Sequence, residues 1–137
     1  ATLSQQLTNQ APGPSTWAIN PKGNPMKLFT DQQRTQLRKN AAQPDDGRKG
    51  KFKPVVKLFT PDAHAVWLLS EMDEGGRCFG LCDLGQGYPE LGYVMESELK
   101  SFRGRFRLPI ERDRHFTADK TITEYADAAS SEWRIVA

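Results

Sequence analysis

The order of apolar and polar positions predicts an amphipathic helix shortly after residue 26. Leu28, Phe29 and Leu37 supply an apolar stripe. Thr30 or Asp31 can cap a helix that carries this stripe. The spacing therefore predicts a helix from residue 31 to about residue 40, with its charged side chains facing water.

Four segments after this helix have the composition of β-strands. The second of them is apolar on both faces from Val66 to Leu69, which is typical of a strand inside a sheet. The loop after it ends in Gly75 and Gly76, so this strand and the next are expected to form a hairpin. The predicted strands are 54–59, 63–72, 77–84 and 91–95.

Two more helices are predicted towards the end of the chain. A short helix starts at Glu96 or Ser97 and ends at Phe102. Thr121 and Glu124 have the spacing of a capping box, which predicts a last helix over 122–131. Strands clustered in the middle with helices at both ends predict an α+β fold with a small, mostly antiparallel sheet.

Length and composition suggest where the folded part begins. A chain of 137 residues fits one domain. Residues 1–25 hold four prolines and little apolar material, so we expect a flexible N-terminal extension followed by a single domain over 26–137. The polar segment 40–53 is expected to be a mobile loop. No apolar run reaches the roughly 18 residues of a membrane span, so a cytoplasmic protein without a membrane partner is expected.

The net charge of +2 conceals three differently charged parts. Residues 1–57 hold ten Lys or Arg and three acids, whereas residues 58–98 hold one base and eight acids. Residues 99–137 hold eight bases and six acids. This division into a basic arm and an acidic centre bears on partners and solubility, not on fold.

The two cysteines favour buried thiols over a metal site or a disulfide. Cys78 and Cys82 lie four apart in a predicted strand, so their α-carbons are about 13 Å apart, beyond the roughly 7 Å limit of a disulfide. Only His64 and His115 could join them, and no spacing matches a zinc site. Phosphate-binding and dinucleotide-binding glycine motifs and the G-x-S-x-G elbow of hydrolases do not occur in the sequence. We expect no cofactor and a reducing compartment.

Acidic residues in the central part allow a metal-dependent reaction as an alternative. A magnesium-dependent nuclease needs two or three converging carboxylates and a lysine that helps to activate water. The order of Pro61-Asp62 and Glu71 loosely resembles restriction-type nucleases, although Asp73 stands where such enzymes have the lysine. Because Pro-Asp pairs also occur in turns, a turn role for Asp62 stays open beside the metal site. The candidate catalytic residues are Asp62, Glu71, Asp83 and Glu90, with Mg²⁺ required only under this alternative.

An arginine-rich segment gives the strongest nucleic-acid signal in the chain. Arginine pairs with phosphate and stacks on bases, and interleaved phenylalanines can stack on a single strand. Glu111 and Asp113 lie in the same run and can pair with the arginines, so an ordinary structural surface is the other interpretation. The candidate contacts to single-stranded or duplex DNA are Arg103, Arg105, Arg107, Arg112 and Arg114, with Phe102, Phe106 and Phe116 between and around them.

Several short sequence motifs, in a fixed order, are similar to those of one bacterial family. They are Lys57-Leu-Phe-Thr-Pro-Asp-Ala63, Phe79-Gly-Leu-Cys-Asp-Leu-Gly85, Pro89-Glu-Leu-Gly-Tyr-Val94 and Leu108-Pro-Ile-Glu-Arg-Asp113. From Met26 onward the chain resembles a small family of uncharacterised domains carried on plasmids and integrative or conjugative elements. The resemblance implies an origin on mobile elements, and some members of that family carry the label of single-stranded DNA endonuclease.

Three functions are compatible with these observations. The first is a mobile-element accessory protein that acts by binding, with nucleic acid as the partner of its arginine-rich surface. The second is a metal-dependent single-stranded DNA endonuclease. The third is a protein-interaction module that affects host defence or conjugation, in which the acidic centre meets a basic host or plasmid protein.

Overall fold

A computed structural model describes residues 27–44 and 49–137 of the chain. The extension predicted for residues 1–25 and the middle of the loop predicted for 40–53 lie outside the described residues. The helices are α1 (Asp31–Ala41), α2 (Glu96–Ser101) and α3 (Ile122–Glu132), with a 3₁₀ turn at Lys49–Lys51. The strands are β1 (Val56–Phe59), β2 (Val66–Met72), β3 (Arg77–Asp83), β4 (Glu90–Met95) and β5 (Glu111–Arg112).

The strands form one antiparallel sheet in the order β4-β3-β2-β1-β5. Strands β1 to β4 pair with their neighbours along the chain, and β5 returns to the outer side of β1, where Leu58 lies opposite Arg112. With α1 before the sheet and α3 after it, the predicted α+β class is confirmed. Strand β5 was not predicted because two charged residues give no alternating signal.

Both faces of the sheet are covered, and β2 contributes to both cores. Trp67 and Leu69 point to the face covered by α1 and α2, which we call the first face, and Leu68 points to the second face, covered by α3. This alternation confirms the interior position predicted for the strand. The core of the first face is the larger, and its largest buried side chains are Trp67, Phe29, Phe102, Leu37, Leu58, Leu69, Met72 and Leu99.

A β-bulge at Ser70 interrupts the alternation of β2. The register passes from Leu69 opposite Gly80 to Glu71 opposite Phe79, which leaves Ser70 as the extra residue. Met72 therefore returns to the first face, three residues after Leu69 instead of two or four. The side chain of Asn40 in α1 donates to the carbonyl of Ser70 at 2.8 Å, so the bulge also attaches the helix to the sheet.

Capping boxes begin the two longer helices. The side chain of Thr30 accepts from the Gln33 amide at 3.0 Å, and Gln33 accepts in return from the Thr30 amide at 2.9 Å. Thr121 and Glu124 make the same pair of hydrogen bonds at α3, as their spacing predicts. Across the described residues, no helix is both long enough and apolar enough to cross a membrane.

Candidate nucleic-acid interface

The centre of the arginine-rich segment forms a tight loop, residues 103–109, which we call the tip loop. Its two ends are joined by a β-bridge between Arg103 and Pro109. Inside this bridge the Gly104 amide donates to the Leu108 carbonyl at 2.9 Å, and the Arg107 amide donates to the Gly104 carbonyl at 2.9 Å. Arg107 has a φ of 66°, the left-handed conformation that closes the turn. The loop therefore has a defined backbone shape.

Asp62 fixes the tip loop to the turn between β1 and β2. Its Oδ2 accepts from the Phe106 amide at 2.6 Å and from the Leu108 amide at 3.4 Å. A Cβ atom at residue 104 would overlap the Asp62 carboxylate and displace it from the amides that it accepts from. Asp62, predicted either as a metal ligand or as a turn residue, thus holds a distant loop by accepting backbone hydrogen bonds.

The end of the tip loop presents one aromatic ring between two cations. Phe106 is 70% exposed, and Arg105 and Arg107 on either side of it are also exposed. The Arg105 guanidinium lies 5.9 Å from the centre of the Phe106 ring. A planar apolar group beside two guanidinium groups can stack on a base and pair with the adjacent phosphates.

The five arginines predicted to contact DNA do not form one surface, because two of them donate hydrogen bonds to backbone carbonyls of the chain. Arg103 donates to the carbonyls of Lys100 and Phe102, at 3.1 and 2.7 Å, and so satisfies the end of α2. Arg112 in β5 donates to the carbonyl of Lys27 at 2.9 Å, and burial lowers the pKa of its guanidinium. Both guanidinium groups therefore hold carbonyls of the chain and are less available to an anion than an exposed arginine.

Three of the five arginines remain available to an anion. Arg105, Arg107 and Arg114 are exposed, and none of them forms an ion pair with another residue of the described ranges. Asp113, one of the two acids that could have paired with these arginines, pairs with Lys57 at 3.6 Å. The Asp62 carboxylate under the tip loop and the interaction of Arg114 with Glu111 offset part of the positive charge, whereas Arg105 and Arg107 form no ion pair of their own in the described ranges.

The three phenylalanines of the arginine-rich segment also differ in how far they are exposed. Phe102 is fully buried in the core of the first face. Phe116 is partly buried and packs against Tyr125 with ring centres 6.3 Å apart. Of these three phenylalanines, Phe106 alone is mostly exposed, so it is the one of the three that could stack on a base.

The four candidate carboxylates occupy separate places in the fold. Asp83 is buried at the end of β3, where it accepts from the amides of Gly85 at 2.8 Å and Ile135 at 3.1 Å. Glu71 is buried in β2 beside the bulge, and Glu90 is exposed at the start of β4. In the part of the chain that the structure describes, no three His, Cys, Asp or Glu side chains form a group that could hold a metal ion.

The cysteines are not placed for nucleophilic chemistry. Both are free thiols, as predicted, and both lie on the side of β3 that faces the first core. Burial is the main cause that raises the pKa of each to about 12, with the charge of Glu96 adding to it at Cys78 and that of Glu90 at Cys82. Few thiolates form at neutral pH, so these residues are expected to be inert.

A cleft of about 630 Å³ lies on the second face, beside the turn that carries Asp62. It is lined by Phe59, His64 and Trp133, among others. Its lysine, Lys57, donates to the carbonyl of Ala137 at 2.8 Å and pairs with Asp113. The charge of Lys57 is thus satisfied by the chain, whereas the exposed Arg134 also lines the cleft.

The attachment of the tip loop by Asp62 was not predicted as such. The two partners are 44 residues apart in the chain, and no local pattern reports a contact of that length. The available signal was the pair of a turn Asp at residue 62 and a glycine at 104 within a run of large side chains. Neither is specific alone.

Comparison with known proteins identifies one family. The sequence profile of the family described as "Protein of unknown function (DUF2958)" matches residues 28–136. No curated protein and no solved structure gives a significant match to the chain.

Proposed function

The chain belongs to this family of unknown function, and from that premise we propose that it binds single-stranded nucleic acid through the tip loop. The observation that carries the proposal is the exposed Phe106 between Arg105 and Arg107, on a loop whose backbone Asp62 holds in place. A held loop loses little conformational freedom on binding, so more of the contact energy remains as affinity.

The aromatic ring favours a single strand over a duplex. A phenyl ring stacks on the face of a base, and that face is accessible when the base is unpaired. Each stacked base contributes about 1–3 kcal/mol, and each phosphate contact adds a salt-dependent contribution. A duplex would use only the arginines, so we expect it to bind more weakly.

We also propose, from the sequence words shared with domains of mobile elements, that the chain is an accessory protein of plasmids or conjugative elements. Its two free thiols support an activity in the reducing cytoplasm. Binding to single-stranded DNA would suit such elements, because conjugation transfers DNA as a single strand.

Fluorescence anisotropy with a labelled oligothymidine at two or more salt concentrations tests the phosphate contacts. The double variant Arg105→Ala/Arg107→Ala is expected to weaken binding and to reduce the slope of log K against log salt by about 1.4, or about 0.7 per phosphate. The matched control is Arg38→Ala/Lys39→Ala, which removes two exposed charges from α1. Equal slopes for both double variants would show that only net charge matters and would overturn the proposal.

The stacking contact has a different signature. Phe106→Ala is expected to weaken binding about 5-fold to 100-fold while the salt slope stays unchanged, and Phe106→Trp is expected to retain binding. Unchanged affinity of the alanine variant would remove the single-strand preference from the proposal.

The endonuclease alternative is tested in the same samples. Adding Mg²⁺ or Mn²⁺ and running a denaturing gel would detect cleavage, and variants of Asp62 and Glu71 would show whether these residues carry it. The separation of the carboxylates in the described fold does not favour this alternative, because the chemistry needs them to converge.

A further inference from the structure

One edge of the sheet is long and open. Strand β4 spans Glu90–Met95, and its only strand partner among the described residues is β3. Strand β5, at the opposite edge, has only two residues. An edge of the length of β4 presents a row of unpaired amides and carbonyls that can continue the sheet.

The hydrogen bonds of β4 identify which backbone groups face outward. The Glu96 amide donates to the Gly76 carbonyl at 2.8 Å, in the register that pairs Cys78 with Val94 and Gly80 with Gly92. In an antiparallel ladder, alternate residues bond to the same neighbour. The amides and carbonyls of the other residues therefore face away from β3, and these residues are Leu91, Tyr93 and Met95.

The side chains at this edge are apolar and exposed. Tyr93 is 61% exposed, Leu91 41% and Tyr88 70%. Phe79 lies 5.1 Å from the Tyr93 ring, and the Arg77 guanidinium covers that ring at 4.5 Å. Soluble proteins usually protect an open edge with charged residues, proline or a bulge; Pro89 and Glu90 stand at the start of this edge, and residues 91–95 have none of these features.

We propose that β4 pairs with β4 of a second copy of this chain, antiparallel, about a two-fold axis at Gly92. Leu91 then lies opposite the partner's Tyr93 on the second face, and each contributes an outward amide and carbonyl to the new ladder. Gly92 lies opposite Gly92 of the second copy, so no side chains meet at the axis. The result is a continuous ten-stranded sheet.

Self-complementarity favours a second copy as the occupant, and charge disfavours one of the two neighbouring registers. Pairing about Gly92 joins apolar residues and opposes no two like charges along the strand. Moving the two-fold axis by one residue, to Tyr93, would shift the register between the strands by two residues. Glu90 would then lie opposite the partner's Glu96, which is unfavourable. Any other strand could form the backbone bonds, but a second copy also supplies a matching apolar row.

The size of the apolar surface predicts a reversible dimer. From the exposed fractions of Tyr88, Leu91 and Tyr93, we expect about 300–400 Å² of side-chain surface to be covered on each copy. Stable interfaces bury about 800 Å² per partner. The dimer is therefore expected to form at high concentration and to dissociate on dilution.

Sedimentation velocity of the full 137-residue chain, from about 5 μM to about 500 μM, tests the proposal. A dimer fraction that rises with concentration is expected for the wild type, and Leu91→Lys and Tyr93→Lys are expected to remain monomeric. The control is Val136→Lys, a lysine at an apolar site 46% exposed and away from β4. A wild type that is monomeric throughout, or a dimer that both β4 variants retain, would overturn the proposal.

A cross-linking experiment tests the register and does not depend on the lysine variants. A Cβ atom at Gly92 would meet no heavy atom within 4 Å, so Gly92→Cys fits the monomer. Residues opposite each other across this axis have α-carbons within the 4.4–6.8 Å range of disulfides, so oxidation should give a covalent dimer. The native thiols contribute little because their pKa is raised to about 12. Cross-linking no faster than in the exposed control Ser130→Cys would contradict the register.

Discussion

The two edges of the sheet contrast in how completely the chain uses them. At the β5 edge, polar groups are joined to backbone: Arg112 to Lys27, Asp62 to Phe106 and the amide of Asp113 to the carbonyl of Lys57 at 2.9 Å. At the β4 edge, apolar side chains and outward backbone groups have no partner strand in the described ranges.

This contrast shows how one small sheet can present two kinds of surface. The contacts at the β5 edge fix a loop whose remaining charges face outward, which suits a polyanion. The β4 edge has a regular backbone and little charge, which suits another strand. Because the two surfaces share no residue, each can be changed without the other.

A substitution in the centre of the sheet is expected to have the largest effect on stability, against which the effects at both edges can be compared. Trp67→Ala is expected to lower the free energy of unfolding by about 3–5 kcal/mol, because the side chain is fully buried in the core of the first face. Urea denaturation measures the change. A loss below about 1 kcal/mol would contradict the central position of β2.

Asp62→Ala should affect the β5 edge alone. We expect a loss of about 1–3 kcal/mol in stability, because the amides of Phe106 and Leu108 lose their acceptor. We also expect weaker binding to single-stranded DNA, although removing an acid makes the surface more positive. Asp62→Asn keeps an acceptor, so its stability and its affinity for single-stranded DNA should lie between those of the wild type and of Asp62→Ala. Stronger binding by the alanine variant would show that Asp62 acts only through its charge.

Glu96→Gln tests how the end of β4 is attached to α1. Glu96 accepts two hydrogen bonds from the Arg34 guanidinium, and this is the main cause that lowers the pKa of the carboxyl below its ordinary 4.5. We expect the variant to lose about 1–2 kcal/mol of stability near neutral pH.

The sign of the pH dependence follows from the direction of that shift. Because the carboxyl is more acidic in the folded state, the stabilisation is complete above 4.5 and is lost as the pH falls through the lower folded value. Urea denaturation between about pH 7 and about pH 3 should therefore show the wild type and Glu96→Gln converging at the acid end. The exposed Glu132→Gln serves as control, and a constant difference at all pH values would contradict the assignment.

Tyr93→Ala and Phe106→Ala compare the exposed aromatic residues of the two edges and should have the smallest effects on stability. Each is expected to change the free energy of unfolding of the monomer by less than about 1 kcal/mol, because both rings are mostly exposed. Tyr93→Ala also loses its contact with Arg77, so it should be the larger of the two. A loss above about 2 kcal/mol at Tyr93 would show that the β4 edge is covered.

Local sequence signals predicted the elements well because their causes are local. The N-cap at Thr30, which was predicted at Thr30 or Asp31, the capping box at Thr121 and the apolar run of β2 each act within a few residues, and all of them are present in the structure. Strand β5 and the bulge at Ser70 depend on pairing with distant strands. They therefore left no periodic signal in their own segments.

The sequence indicated the arginine-rich segment as a candidate interface, but it did not show which of its arginines are held by the rest of the chain. The arginine-rich segment drew attention as a single surface, but Arg103 and Arg112 bond to carbonyls of the chain, which no local pattern reveals. Asp62 was predicted as a metal ligand or as a turn residue, and its hydrogen bond with Phe106, 44 residues away, has no local signal in the sequence. Charge and spacing indicate which groups can bind, whereas the fold decides which of them are already used.

The long separation between Asp62 and the tip loop also has a kinetic consequence. Strands β1 to β4 close through the short connections 60–65, 73–76 and 84–89, whereas β5 and the tip loop must return to β1 from the far end of the sheet. Closing long loops is entropically costly, so these late contacts are expected to form after the β1–β4 meander and to open before it. The Arg105-Phe106-Arg107 surface would then be completed only in the last step of folding, and trypsin cleavage within it would report partial opening before the rest of the sheet unfolds.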